Sequence, residues 1–139
     1  MKKNIFLTLI LGLFIILATT GFKPSVFKDQ KCPVDLTYTS SIGCKIHIIG
    51  QSDCGTGNNF TGTVTFSGPS ANGCVNGTFG FRFGAPNDNE IEITLSGGST
   101  ICGAGSISFS DNGSCSACSS LLNSFAAEIL SDMKRGLGC

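Results

Sequence analysis

Apolar and polar residues alternate with a period of two through the middle of the chain. In "NFTGTVTFSG", Phe60, Val64 and Phe66 fall on one side, and Thr61, Thr63, Thr65 and Ser67 on the other. In "GTFGFRFG", Phe79, Phe81 and Phe83 oppose Thr78, Gly80 and Arg82. In "EIEITLS", Ile91, Ile93 and Leu95 oppose Glu90, Glu92, Thr94 and Ser96, and "SISFS" repeats the pattern with Ile107 and Phe109. "CKIHII" adds Cys44, Ile46 and Ile48 inward with Lys45 and His47 outward, and "DLTYT" is the weakest strand candidate. Such alternation marks strands buried on one face and wet on the other. Turn formers separate them in "CGTGNN", "GPSANG", "GAPNDN", "SGGST" and "SDNG". Short connections between consecutive strands favour antiparallel neighbours. The units share no detailed sequence, so the pattern predicts a meander of about five strands rather than a repeat.

After Ser119 the period changes. Leu121, Leu122, Phe125, Ala126, Ile129, Leu130 and Met133 recur at helical spacing and predict one amphipathic helix over 119–135. Ser119 or Ser120 can cap its start, Lys134 and Arg135 suit its last turn, and Gly136 ends it. A stripe this apolar has to cover something, and the inward side of the sheet is the natural partner. The expected contact sets Leu122, Phe125, Ile129 and Leu130 against Phe79, Phe81, Ile91 and Ile93. The fold class is therefore α+β and mainly β: an antiparallel sheet with one C-terminal helix across a face.

The N-terminus reads differently. Met1, Lys2, Lys3 and Asn4 precede an apolar run from Ile5 to Ala18. A short basic segment followed by about a dozen apolar residues is the pattern of a secretory signal peptide. The run is shorter than the roughly 20 residues a spanning helix needs. Residues 1–21 are read as a removed signal, with cleavage between positions 19 and 22, and 22–139 as one domain. Without Lys2 and Lys3 the formally neutral chain carries a net charge of about −2. That balance offers nothing to nucleic acid or, once the signal is gone, to an anionic membrane. The expected place is outside the cytoplasm: secreted, periplasmic or at the cell surface.

All eight cysteines follow the signal: Cys32, Cys44, Cys54, Cys74, Cys102, Cys115, Cys118 and Cys139. An even count in a short exported chain predicts four disulfides. Cys115 and Cys118 form a CxxC just before the helix, the local pattern of a dithiol redox site. Only six residues follow Met133, too few to complete a thioredoxin-like fold around that helix, so both are read as staples. A helix of 16 residues would span about 24 Å, whereas the four residues after it reach back at most about 14 Å. Cys118 to Cys139 is therefore not the expected pairing, and Cys139 is expected to tie the helix end to the sheet or the N-terminal segment. The other pairings stay open.

Candidate chemistry is sparse. A metal-thiolate centre lacks a second CxxC, and the single histidine, His47, sits on a wet strand face. Asp88, Glu90 and Glu92 alternate onto one side of a strand about 7 Å apart, the closest approach to paired catalytic acids or a calcium cluster. Charges there also suit a solvated strand edge. No nucleophile with a neighbouring base is visible, so no catalytic, cofactor or metal-binding residue is assigned. Thr61, Thr63 and Thr65 resemble one row of a TxT ladder, which Ser106, Ser108 and Ser110 could extend, but Arg82 and the glutamates interrupt it. The three sequons, at Asn59, Asn76 and Asn112, are no enrichment over what this Ser/Thr-rich composition yields by chance.

With only 13% charged residues, the surface is neutral and hydroxyl-rich. The leading functional expectation is a secreted, disulfide-stapled module that binds an extracellular protein or glycan, or assembles at a surface, without a cofactor. The alternatives are a small extracellular hydrolase or thiol-disulfide catalyst, and an exported effector or inhibitor making contact through residues 50–59.

Overall fold

The computed structural model describes residues 30–139 apart from 85 and 86. The segment read as a signal, the residues that follow it up to 29 and the centre of the "GAPNDN" turn lie outside the described residues. Six strands form one sheet in sequential order: β1 (Lys31–Thr39), β2 (Lys45–Asp53), β3 (Thr61–Ser67), β4 (Gly77–Phe83), β5 (Glu90–Ser96) and β6 (Ser106–Asp111). Two helices follow, α1 (Ser116–Ser124) and α2 (Ala126–Leu137). The architecture is thus a mostly-β α+β fold, with one more strand and one more helix than the hydrophobic pattern suggested.

The extra strand is β1. "DLTYT" is the second half of a nine-residue strand whose first half, "KCPV", carries a proline and a cysteine that mask the alternation. Pro33 is tolerated because β1 is an edge strand.

The sheet is not wholly antiparallel. β4 and β5 run parallel, with Gly80 opposite Glu90 and Phe83 opposite Ile93. Parallel neighbours usually need a long crossover, yet only residues 84–89 connect these two. The register explains how: β5 begins beside Gly80, three residues before β4 ends, so the chain returns only about 10 Å. Asn89 takes a left-handed φ of 62° at the reversal, and its carbonyl accepts from the Gly80 N–H at 3.0 Å. The Phe83 N–H meanwhile donates to the Phe60 carbonyl at 2.9 Å, which holds the end of β4 away from a hairpin.

Inward residues fall in register across the sheet. Val34, Gly50, Gly62, Phe81 and Ile91 make one such row. The two glycines leave room for the Phe81 ring: a Cβ on Gly62 would sit 2.6 Å from Phe81 Cε1, and one on Gly50 3.0 Å from Cζ. Phe60 stacks beside it with ring centroids 4.8 Å apart. An aromatic ring lying over paired glycines restores the packing they lack.

The helical stripe breaks at Phe125, whose φ of −108° and ψ of 6° end α1 and start α2. Leu122, Ile129, Met133 and Leu137 are buried, whereas Phe125 and Leu130 are only partly so. The expected deep burial of Phe125 is therefore corrected. Its ring leans on Tyr38 instead, centroids 5.4 Å apart. Beyond the bend, α2 lies against both edge strands, β1 and β6. The sheet accordingly curls around the helices, which fill the gap between its edges. Tyr38 Oη donates to Asp132 Oδ2 at 3.1 Å and joins β1 to α2. Burial, reinforced by that bond, pushes the tyrosine pKa well above its ordinary value.

All eight cysteines are paired: Cys32–Cys54, Cys44–Cys74, Cys102–Cys139 and Cys115–Cys118. The first three close loops of 22, 30 and 37 residues. In the chain-entropy account each such loop is worth roughly 3–4 kcal/mol. Cys139 ties the end of α2 to the loop before β6, not to a strand, and pins it beside the fully buried Ile101. Four disulfides are consistent with an oxidising, extracellular environment. Among the described residues no helix is long and apolar enough to cross a membrane.

Candidate functional site

The outward face of the sheet gathers most of the polar residues that the alternation singled out. Across β1 to β4, Thr37, His47, Thr65 and Thr78 lie in register. The next row is Asp35, Ile49, Thr63, Gly80 and Glu90, and the third is Pro33, Gln51, Thr61, Arg82, Glu92 and Ser110. Thr65 and Thr78 share a hydroxyl–hydroxyl bond of 3.1 Å. Short β-branched side chains on one pleated face hold such hydroxyls in fixed positions, because χ1 is restricted.

Ile49 stands at the middle of this field with 48% of its surface exposed. Together with Ile42 in the β1–β2 turn, it is one of two large hydrophobic residues left exposed among the described residues. The hydrophobic pattern placed Ile46 and Ile48 inward but gave Ile49 no role.

His47 is not alone. Its Nε2 lies 2.8 Å from Asp35 Oδ1 on the neighbouring strand. Both side chains are well exposed, 43% and 73%, and among the described residues no hydroxyl or thiol is bonded to the imidazole. A histidine–carboxylate pair without a nucleophile can bind a ligand but lacks the third member of a hydrolytic set.

The acidic trio separates. Glu90 and Glu92 face outward on β5, but Asp88 belongs to the turn before it and not to the strand. Glu90 Oε2 accepts from the Asn87 N–H at 2.7 Å and Oε1 from Arg82 Nη2 at 2.9 Å. The Asn87 bond, with Arg82 beside it, holds the carboxyl below its usual range. A carboxylate tied in this way serves the β4–β5 connection. A Cβ on Gly80 would meet Glu90 Cγ at 3.1 Å, so the glycine makes room for that side chain.

The two hydroxyl rows share the face without touching. Ser106, Ser108 and Ser110 sit on β6, and Arg82 and the glutamates of β4 and β5 separate them from the β3 threonines. Ser96 and Ser106 bond to each other across β5 and β6 at 2.7 Å. A second ion pair, Lys31 with Asp53, closes the far end of β1 and β2. That lysine, and then Asn59, hold the Asp53 carboxyl below its usual range. Asn59, Asn76 and Asn112 are exposed: Asn59 Nδ2 donates to Asp53 Oδ2, Asn76 Oδ1 accepts from the Gly68 N–H, and Asn112 Nδ2 reaches across to the Asn87 carbonyl in the β4–β5 connection.

A cavity of about 10 Å³ lies inside the core against Ile48, Val64, Phe81 and Met133. A wide, shallow depression runs along α2 past Glu128, Asp132 and Arg135. Among the described residues no three of His, Cys, Asp and Glu cluster closely enough to hold a metal ion. No known protein family, curated protein or solved structure matches the chain.

Proposed function

We propose that the protein is an exported, disulfide-stapled module that works by binding or surface assembly through the outward face of its sheet. The observation that carries this reading is Ile49, exposed between Asp35 and Thr63 at the centre of a face of registered threonines. An apolar anchor ringed by fixed hydroxyls suits the flat apolar and hydroxyl faces of a sugar, or the matching surface of another subunit. Cys32–Cys54 and Cys44–Cys74 brace both ends of the strand pair that bears Ile49. A rigid face lowers the ordering cost of association. The export and surface placement rest on the N-terminal pattern and the disulfides together.

The experiment compares the parent with Ile49→Lys and Thr63→Lys, measuring binding to immobilised glycans and self-association by sedimentation. Both positions are on the solvated face, so stability should stay within about 0.5 kcal/mol of the parent. Loss of binding or assembly in folded variants supports the reading. Binding that survives both substitutions unchanged refutes it.

A further inference from the structure

We propose that the Cys115–Cys118 bridge is a thiol–disulfide exchange site, reducible by an external dithiol while the three long-range bridges stay closed. The other bridges join separate parts of the fold across 22, 30 and 37 residues. Cys115–Cys118 joins residues three apart and spans only the first turn of α1. Closing so short a loop restricts the unfolded chain least. Residues at i and i+3 are already neighbours on a helix. As a staple, this is the bond the fold needs least.

The two sulfurs also differ in access. Cys118 is fully buried in the core, whereas Cys115 is partly exposed between the exposed Ser114 and Ser116. A thiolate arriving from solvent reaches Cys115 Sγ, which makes Cys118 the leaving group. The Cys118 N–H donates to Cys115 Sγ at 3.2 Å. A thiolate accepts such a bond more strongly than a neutral sulfur does. The helix N-terminus adds its positive end, and the first turn carries no acidic residue to oppose it. The structure therefore supplies an accessible sulfur, a stabilised thiolate at the same atom and a buried resolving cysteine.

The step follows ordinary exchange chemistry. One thiolate of the dithiol forms a bond to Cys115 Sγ while the Cys115–Cys118 bond breaks, and its electron pair leaves on Cys118, which takes up a proton. The second thiolate of the dithiol then attacks its own mixed disulfide and expels Cys115 as thiolate. Two electrons pass to the bridge, the reagent leaves as a cyclic disulfide, and one net proton goes to solvent. The outward face takes no part, so this proposal and the binding reading stand or fall separately.

The test is a dithiothreitol titration of the native protein, quenched with iodoacetamide and mapped by peptide mass. Cys115 and Cys118 should be alkylated at reductant concentrations at least about ten-fold below those that open any other bridge. The proposal is overturned if another bridge opens first, or if all four open together with unfolding. In glutathione disulfide, Cys118→Ser should form a mixed disulfide at Cys115 at least about ten-fold faster than Cys115→Ser does at Cys118. Equal rates would overturn the assigned roles, and should either variant fail to fold, the titration of the parent decides alone.

Discussion

Asn123 grips the backbone of Phe109. Its Oδ1 accepts from the Phe109 N–H at 2.9 Å and its Nδ2 donates to the Phe109 carbonyl at 2.7 Å. Phe109 lies on β6, an edge strand whose free side would otherwise present these two groups to any passing strand. One amide on α1 thus supplies the donor and acceptor that a seventh strand would bring. It also fixes how α1 sits on the sheet.

Asn123→Ala should therefore cost about 1–3 kcal/mol, the range for stripping partners from part-buried polar groups. Asn123→Asp should keep the acceptor, lose the donor and fall between parent and alanine. Urea unfolding measures the loss, and hydrogen exchange at the Phe109 amide locates it. An unchanged Phe109 exchange rate in the alanine variant would show that the edge is not held by this side chain.

The helical stripe makes a second prediction, one of rank. Met133 and Ile129 are fully buried, so Met133→Ala and Ile129→Ala should each cost about 2–5 kcal/mol. Phe125, partly exposed at the helix break, should cost less than either when truncated, despite its larger side chain. Chemical denaturation of the three variants settles the order. Phe125→Ala as the most damaging would mean that the Tyr38–Phe125 contact, and not the buried stripe, anchors the helices.

Much of this fold was legible from period alone. The inward faces of β2 to β6 follow from alternation, because one wet side forces a single register of apolar residues. Two features were hidden for physical reasons. The parallel β4–β5 pair depends on a backbone reversal at Asn89 and on the Glu90–Asn87 bond, and neither leaves a mark in hydrophobic periodicity. The bend at Phe125 keeps the 3.6-residue stripe nearly continuous, so the pattern reads as one helix. The candidate face was half legible. The threonine rows could be read, but the Asp35–His47 pair required β1, whose alternation is masked by Pro33 and Cys32. The alternation that turns Ile46 and Ile48 inward sends Ile49 outward, but nothing in the period marks one apolar residue on a wet face as a contact point.

Tyr38 gives a third prediction with a direct optical signal, since it is the only tyrosine in the chain. Burial and the bond to Asp132 raise its pKa in the folded state. A raised pKa means stability fully present below the unfolded value near 10 and lost as pH rises through the folded one. The phenolate absorbance should then appear only together with alkaline unfolding, above the range of a free tyrosine. Asp132→Asn should bring the two closer to ordinary tyrosine behaviour. Titration near pH 10 in a protein still folded by circular dichroism would contradict the burial of this hydroxyl.

The last prediction concerns acid and assigns Glu90 a structural role. Its folded-state pKa lies below the ordinary value of 4.5, chiefly through the Asn87 N–H, with Arg82 adding to it. Asp53 is likewise depressed below 3.8 by Lys31 and then Asn59. A depressed carboxylate contributes stability that is present above its unfolded pKa and lost as pH falls through its folded one. Stability should therefore hold above about pH 5 and decline below about pH 4.5. Glu90→Gln should flatten that decline and, at neutral pH, speed hydrogen exchange in the segment between β4 and β5, where the carboxylate holds Asn87. Glu92→Gln, which faces Arg82 without gripping the turn, should leave that exchange unchanged. Were Glu90 instead one of a catalytic pair, its removal would abolish a turnover while the exchange of residues 87–89 stayed at the parent rate. That outcome would return the acidic strand to the list of active-site candidates.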